Sequence, residues 1–337
     1  MGSQMWFRND TGTISAIPYA VLTLVVFGLF LVGMGVVVDA LVEVDNDMMG
    51  GTTVTTPRPT ATPVPTPDPG QIAAGAEHAL HLTGAGTLVE WGNSGYQAGD
   101  HIDGSDIDMI AASLGHSFAL RNDGTVIAWG AGDYDDHYSP LNSPPDGNVV
   151  AISGGGAHSL ALLNDGTVIG WGEDYYGQAS PPAGLSGVTA IAGGGAHSLA
   201  LKSDGTVVAW GYDSSGQASP PAGLSGVTAI AAGMAHSLAL KSDGTVVGWG
   251  WDPYGQATPP AGLSGVTAIA AGMAHSLALK SDGTVVAWGA TGPGQADSPP
   301  AGLSGVTAIA ASPGGIYSLA LTADGEVVQW GSMELLL

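Results

Sequence analysis

Cysteine is absent from the 337 residues, which excludes disulfides, thiolate metal sites and a cysteine nucleophile, so packing alone must hold the fold. Cations are nearly absent too. Six Lys and Arg stand against 29 Asp and Glu, a formal charge of −23. Such a surface repels a phosphate backbone and sets nucleic acid aside as a partner. An acid-rich, lysine-poor chain also suits high salt, where hydrated carboxylates keep a protein soluble, so a halophilic archaeal source is expected. Phenylalanine is scarce at 4, whereas Gly at 55 and Pro at 21 interrupt the chain throughout. This composition argues against helical bundles and for many short strands joined by turns.

One long apolar run departs from that pattern. Residues 14–38, ISAIPYAVLTLVVFGLFLVGMGVVV, carry no charge. A helix of this length spans roughly 37 Å, more than a bilayer core. A single transmembrane helix is therefore expected, extending to about residue 48. The run is too long for a cleaved signal and is followed by Asp39, Glu43, Asp45 and Asp47 rather than by a cleavage site. Arg8 on the N-terminal side and acid on the other place residues 1–13 in the cytoplasm and the remainder outside. A long apolar helix behind a short leader also resembles archaeal pilin-like subunits, although Asp10 and Thr11 stand where a leader site would carry a basic residue.

Residues 50–70, GGTTVTTPRPTATPVPTPDPG, have too little apolar bulk to bury and read as an extended Thr/Pro-rich stalk. At about 3.1 Å per residue, this stalk would hold the next domain several tens of ångströms from the membrane. Its threonines are either bare or O-glycosylated.

From Gln71 the chain repeats. Trp-Gly pairs fall at Trp91, Trp129, Trp171, Trp210, Trp249, Trp288 and Trp330, marking seven units about 40 residues long. In the unit ending at Trp288, Val266 to Ala271, Ser276 to Lys280 and Thr284 to Trp288 read as strands. Asp282-Gly283 suits the tight turn between the last two. The expected fold is all-β: a seven-bladed β-propeller over 71–337, with a fourth strand per blade in or near the segment after Gly-Gln. An open solenoid and a β-helix are the alternatives.

The recurring GxxHSLALKSDGTVVxWGxxxxGQ resembles the repeat of the regulator of chromosome condensation family, whose members form seven-bladed propellers. In repeat style it is most similar to the bacterial β-lactamase inhibitory propeller branch of that family. The resemblance implies binding through loops on a rigid ring. It does not imply a target, and the family's chromatin-docked nucleotide exchange role conflicts with so acidic a chain.

Several residues invite chemistry. His78, His116, His158, His197, His236 and His275 share one repeat position, with Tyr317 in the seventh unit. Equivalent positions spread around a ring rather than converge, so these histidines and the Trp residues read as structural, and no metal is expected. The acidic stretches Asp103 to Asp108 and Asp133 to Asp136 lack calcium-loop spacing and read as solvated loops. No nucleophile stands beside a non-repeated base, so neither an enzyme nor a cofactor is expected. The residues after each Trp-Gly do vary, and they are rich in aromatics: Tyr96, Tyr134, Tyr138, Tyr175, Tyr176, Tyr212, Trp251 and Tyr254. On a propeller they lie on one face, as candidate ligand contacts or as drift in unselected loops.

The reading from sequence is a membrane-anchored, surface-displayed propeller that recognises a protein or a glycan. The alternative is a spike or decoration subunit of an archaeal membrane-containing virion or a pilus-like filament, assembling with other envelope or filament subunits.

Overall fold

The computed structural model describes residues 4–8, 14–18, 70–93, 102, 104–130, 147–290 and 298–332. Residues 1–62 and 63–337 form two separate units.

In the first unit, Gln4–Arg8 pairs antiparallel with Ile14–Pro18, Trp6 opposite Ala16. The start of the expected transmembrane helix is therefore a strand. Two β-branched isoleucines favour extended backbone there, and Pro18 disfavours a helical conformation at the residue before it. Residues 19–38, the stalk and its threonines lie outside the described residues. Among the described residues, no helix is long and apolar enough to cross a membrane.

The second unit is all-β and contains seven three-stranded antiparallel sheets, over 71–92, 107–130, 149–172, 188–211, 227–250, 266–289 and 306–332. These are blades 1 to 7. Blade 4 shows the plan: an inner strand Val188–Gly193, a middle strand His197–Lys202 and an outer strand Val207–Gly211, in that order across the sheet. Inner strands of successive blades neighbour one another all the way round, the seventh against the first. In six blades the inner–middle ladder is interrupted at one equivalent place, between Val188 and Ala190 in blade 4. There Thr189 Oγ1 donates to the Leu201 carbonyl, which accommodates the extra residue.

The middle strand reads His-Ser-Leu-Ala-Leu without polar alternation because both of its faces are covered by neighbouring blades. Its side chains interlock large against small. Leu160 and Leu162 of blade 3 pack on Ala200 of blade 4, while Leu199 and Leu201 pack on Ala239 of blade 5. The Trp of the following blade joins each wedge, Trp210 in the first and Trp249 in the second. Seven such clusters join seven pairs of adjacent blades, and the last links Tyr317 and Leu319 of blade 7 to Ala74 and Ala79 of blade 1. The ring is closed.

One feature departs from the sequence reading. No fourth strand forms in the described blades: residues 177–187 instead make successive turns, with Ser180 N–H donating to Gly177 and Leu185 N–H to Pro182. Pro181 and Pro182 have no N–H to give to a ladder. Closure, moreover, is made by side chains. Among the described residues, no strand from one end of the propeller enters the sheet of the other end. Tyr317 Oη instead donates toward the carbonyls of Gly75 and His78, at 2.9 and 2.5 Å.

Candidate binding face

In every blade the inner strand ends, the middle strand begins and the outer strand ends on the same side of the ring. This face carries the inner–middle loops near the axis and the loops after Trp-Gly further out. The opposite face carries the Asp-Gly hairpin turns.

The outer loops are built around two buried or capping side chains. In blade 3, Asp174 accepts from Ala179 N–H at 2.8 Å and from Ser180 Oγ at 2.6 Å, and Gln178 Oε1 accepts from Tyr176 N–H at 2.8 Å. Asp213 with Gln217, and Asp252 with Gln256, repeat the pattern in blades 4 and 5. These carboxylates belong to the constant frame of the loop, not to its variable part. The spacing Asp-x-x-Gly-Gln marks them in the sequence, among neighbours that vary. What varies on this frame is Glu173, Tyr175 and Tyr176, then Tyr212, Ser214 and Ser215, then Trp251, Pro253 and Tyr254.

The same glutamine ties one blade to the next. The Gln178 carbonyl accepts both Ser198 Oγ–H at 2.8 Å and Trp210 Nε1–H at 2.9 Å, using both of its lone pairs. Ser198 Oγ in turn lies 2.8 Å from His158 Nε2. The serine has only one proton and gives it to Gln178, so the imidazole donates through Nε2 and its Nδ1 carries the lone pair. His197–Ser237–Gln217–Trp249 and His236–Ser276–Gln256–Trp288 repeat this relay. His78 meets Ser117, and His275 meets Ser318. Burial pushes His158 and His197 down to about 4, and His236 to about 3, so all three are neutral near pH 7.

A glycine makes room for each ring. A Cβ on Gly155 would lie 2.2 Å from His158 Cε1, and one on Gly194 would lie 2.3 Å from His197 Cε1. Where this position is serine, the relay changes. In blade 2, Ser113 Oγ takes the His116 ring at 2.8 Å. In blade 7, Ser312 accompanies Tyr317 in place of histidine. The histidines thus stand one to a blade, and among the described residues no three His, Asp or Glu side chains gather to hold a metal.

The aromatic candidates separate into two groups. Tyr175 and Tyr176 meet edge to face at 4.8 Å, and Tyr176 meets Tyr212 of the next blade at 4.5 Å. Trp251 and Tyr254 meet at 5.5 Å in blade 5. Tyr175 is 81% exposed and Tyr254 57%, with Tyr176, Tyr212 and Met234 also exposed. Among the described residues, five of the seven exposed large hydrophobic residues therefore lie on one face, over blades 3 to 5. Tyr96, Tyr134, Tyr138, Asp103 and Asp133 to Asp136 fall outside the described residues. Of the other acidic stretch, Asp106 is ion-paired with Arg121 at 3.1 Å. Trp129, Trp210, Trp249, Trp288 and Trp330 are buried, while Trp91 and Trp171 are half-buried.

Cations are confined to the opposite face. Lys202, Lys241 and Lys280 reach Asp204, Asp243 and Asp282 at 3.2, 3.5 and 3.2 Å across their hairpin turns. The Asp-Gly turns are closed by aspartates accepting from Thr N–H two residues on, as Asp204 does from Thr206 at 3.0 Å.

The repeat model for the regulator of chromosome condensation, RCC1, matches residues 108–135, 149–178, 188–217, 227–256 and 266–295. The ring is built from RCC1-like repeats. Yeast (Saccharomyces cerevisiae) Prp20p, whose structure was described with its binding properties to Gsp1p and histones, has a similar fold at TM-score 0.62 and 20% identity, over 77% of this chain and 82% of that one. The CRINKLY ectodomain of the Arabidopsis thaliana receptor kinase ACR4 is similar at TM-score 0.61 and 20% identity, over 77% and 96%. The entire ectodomain of the Physcomitrella patens receptor kinase CR4 is similar at 0.64 and 19%, over 77% and 72%. At these identities the likeness is one of fold. A search of curated proteins finds no match to this chain. The RCC1-like ring places the relay and the Trp-Gly wedges between blades, which leaves the loops after Trp-Gly as the part of each repeat free to differ.

Proposed function

We propose that this chain is a membrane-anchored, surface-displayed recognition module that binds a protein partner through the aromatic face of its propeller. One observation carries the reading. Exposed Tyr175, Tyr176, Tyr212 and Tyr254 gather on one face and one sector, on loops that Asp174, Asp213 and Asp252 hold rigid, with exposed Met234 on the inner–middle loop of blade 5 on the same face. Exposed aromatic groups on a rigid frame give large contact area at little entropic cost, as hot spots do. Protein binding is also what the name of the Prp20p structure records for that propeller, and two of the similar rings are receptor ectodomains.

The anchor is proposed from sequence. Starting after the strand Ile14–Pro18, residues 19–38 still give 20 uncharged positions, and a helix of that length spans roughly 30 Å, one bilayer core. The Thr/Pro-rich stretch then spaces the propeller from the surface.

The test is cross-linking on intact cells followed by capture of the full-length protein, wild type against Tyr175→Ala/Tyr176→Ala/Trp251→Ala/Tyr254→Ala. A partner captured by the wild type and lost by the variant is expected. Undiminished capture of every partner by the variant refutes the reading. External protease should remove the propeller from whole cells and leave the anchor in the membrane fraction.

A further inference from the structure

The partition of charge between the two faces says what kind of partner the aromatic sector fits. The propeller holds four cations, Arg121, Lys202, Lys241 and Lys280, and all four sit at the opposite face in ion pairs. The aromatic face has no Lys or Arg among its described residues. Glu173 stands two residues before Tyr175 in the chain and makes no ion pair among them. Tyr175 is largely exposed, and its edge-to-face contact with Tyr176 leaves aromatic faces open to solvent. An aromatic face carries negative electrostatic potential, so it attracts a cation, and a planar guanidinium adds stacking to that attraction.

We infer that the tyrosine ridge Tyr175–Tyr176–Tyr212, whose first two rings share a loop with Glu173, is a docking site for an arginine-bearing extended segment of the partner. The inference rests on the recognition reading above and deepens it. The ridge crosses from blade 3 to blade 4, so alternate side chains of one extended strand, which share a face of it, can meet successive rings, while the uncompensated carboxylate offers a bidentate partner to a guanidinium. On the opposite face Asp204, Asp243 and Asp282 are already engaged by Lys and Thr of their own turns. A partner with an acidic or purely apolar segment would meet a field of the wrong sign or none.

The experiment is fluorescence anisotropy with the full-length protein in detergent. Labelled alternating Arg-Gly, Lys-Gly and Glu-Gly peptides of equal length are compared, with maltohexaose as the carbohydrate probe. The Arg-Gly peptide is expected to bind most tightly and the Glu-Gly peptide not at all. Tyr175→Ala/Tyr176→Ala/Tyr212→Ala removes only outward-facing rings and leaves the formal charge at −23, so bulk electrostatics are unchanged. It is expected to weaken Arg-Gly binding about tenfold or more, and Glu173→Gln to weaken it about threefold with the rings intact. The inference is overturned if the triple variant binds Arg-Gly as the wild type does. It is equally overturned if Arg-Gly and Glu-Gly bind alike, or if maltohexaose binds in a tyrosine-dependent manner, which would assign the ridge to sugar. If the peptide fails but loop variants still lose a cross-linked cellular partner, the arginine chemistry falls and the recognition face stands.

Discussion

Gly155→Ala is the sharpest test of how the blades are joined. The new Cβ would sit 2.2 Å from Cε1, 2.5 Å from Nδ1 and 2.7 Å from Nε2 of His158, so the ring must move. Moving it breaks the 2.8 Å contact to Ser198 Oγ and leaves a buried donor without a partner, at about 1–3 kcal/mol. Crowding in a filled wedge adds about 1–3 kcal/mol. The expected loss is therefore about 2–6 kcal/mol. Gly155→Ser should cost about 1 kcal/mol less, because a serine at this position takes the imidazole itself, as Ser113 takes His116 at 2.8 Å. In a His158→Ala background the clash is gone, and Gly155→Ala should then cost almost nothing or stabilise slightly through the unfolded chain. Guanidinium unfolding followed by fluorescence of the nine tryptophans measures the wild type and all four variants. A Gly155→Ala protein within about 0.5 kcal/mol of wild type, or an undiminished cost without the histidine, would refute the reasoning.

Acid should loosen the ring earlier than carboxylate protonation would. His78, His158, His197 and His275 are held at about 4 by burial against an ordinary 6.5, so the unfolded chain binds protons first, and stability is complete above pH 6.5. It falls as pH drops from 6.5 toward 4, by up to about 1.4 kcal/mol per pH unit for each histidine, and denaturation midpoints that stay flat down to about pH 5 would contradict this. Asp174→Ala removes the acceptor of Ala179 N–H and Ser180 Oγ and should destabilise the loop by about 1–2 kcal/mol, seen as faster amide exchange confined to 173–180. Ala239→Leu fills the hollow that receives Leu199 and Leu201 and should cost about 1–3 kcal/mol in the same unfolding assay. Trp210→Phe removes one of two donors to the Gln178 carbonyl, which keeps Ser198, so the loss should stay near 1 kcal/mol by the same measure.

Within each blade the chain was legible because the determinants are local. Asp204-Gly205 closes a tight turn in which Gly205 takes a φ of +77°, and the apolar runs on either side of it can only pair with each other. The triplet Leu-Ala-Leu, repeated in the middle strands, already contained the large-against-small interlock, and the period of the Trp-Gly pairs set the number of blades. The missing fourth strand was foreshadowed by the paired prolines, which remove ladder donors.

What joins one blade to the next depended on partners far apart in the chain. Gln178 takes its donors from residues 20 and 32 positions away, and His158 finds its serine 40 positions away, distances that no local pattern reports. Why a glycine precedes each relay histidine, and why a serine replaces it where the relay changes, likewise emerges only when a Cβ is placed against the ring. The Trp-Gly repeats alone determined the scaffold. The tertiary structure decided which loop residues are frame and which are display: Asp174 and Tyr175 are adjacent in the chain, yet one is tied into its own turn and the other stands 81% exposed. The physical reason is that a loop must first satisfy its own backbone donors, and only the side chains left over from that task are free to meet a partner.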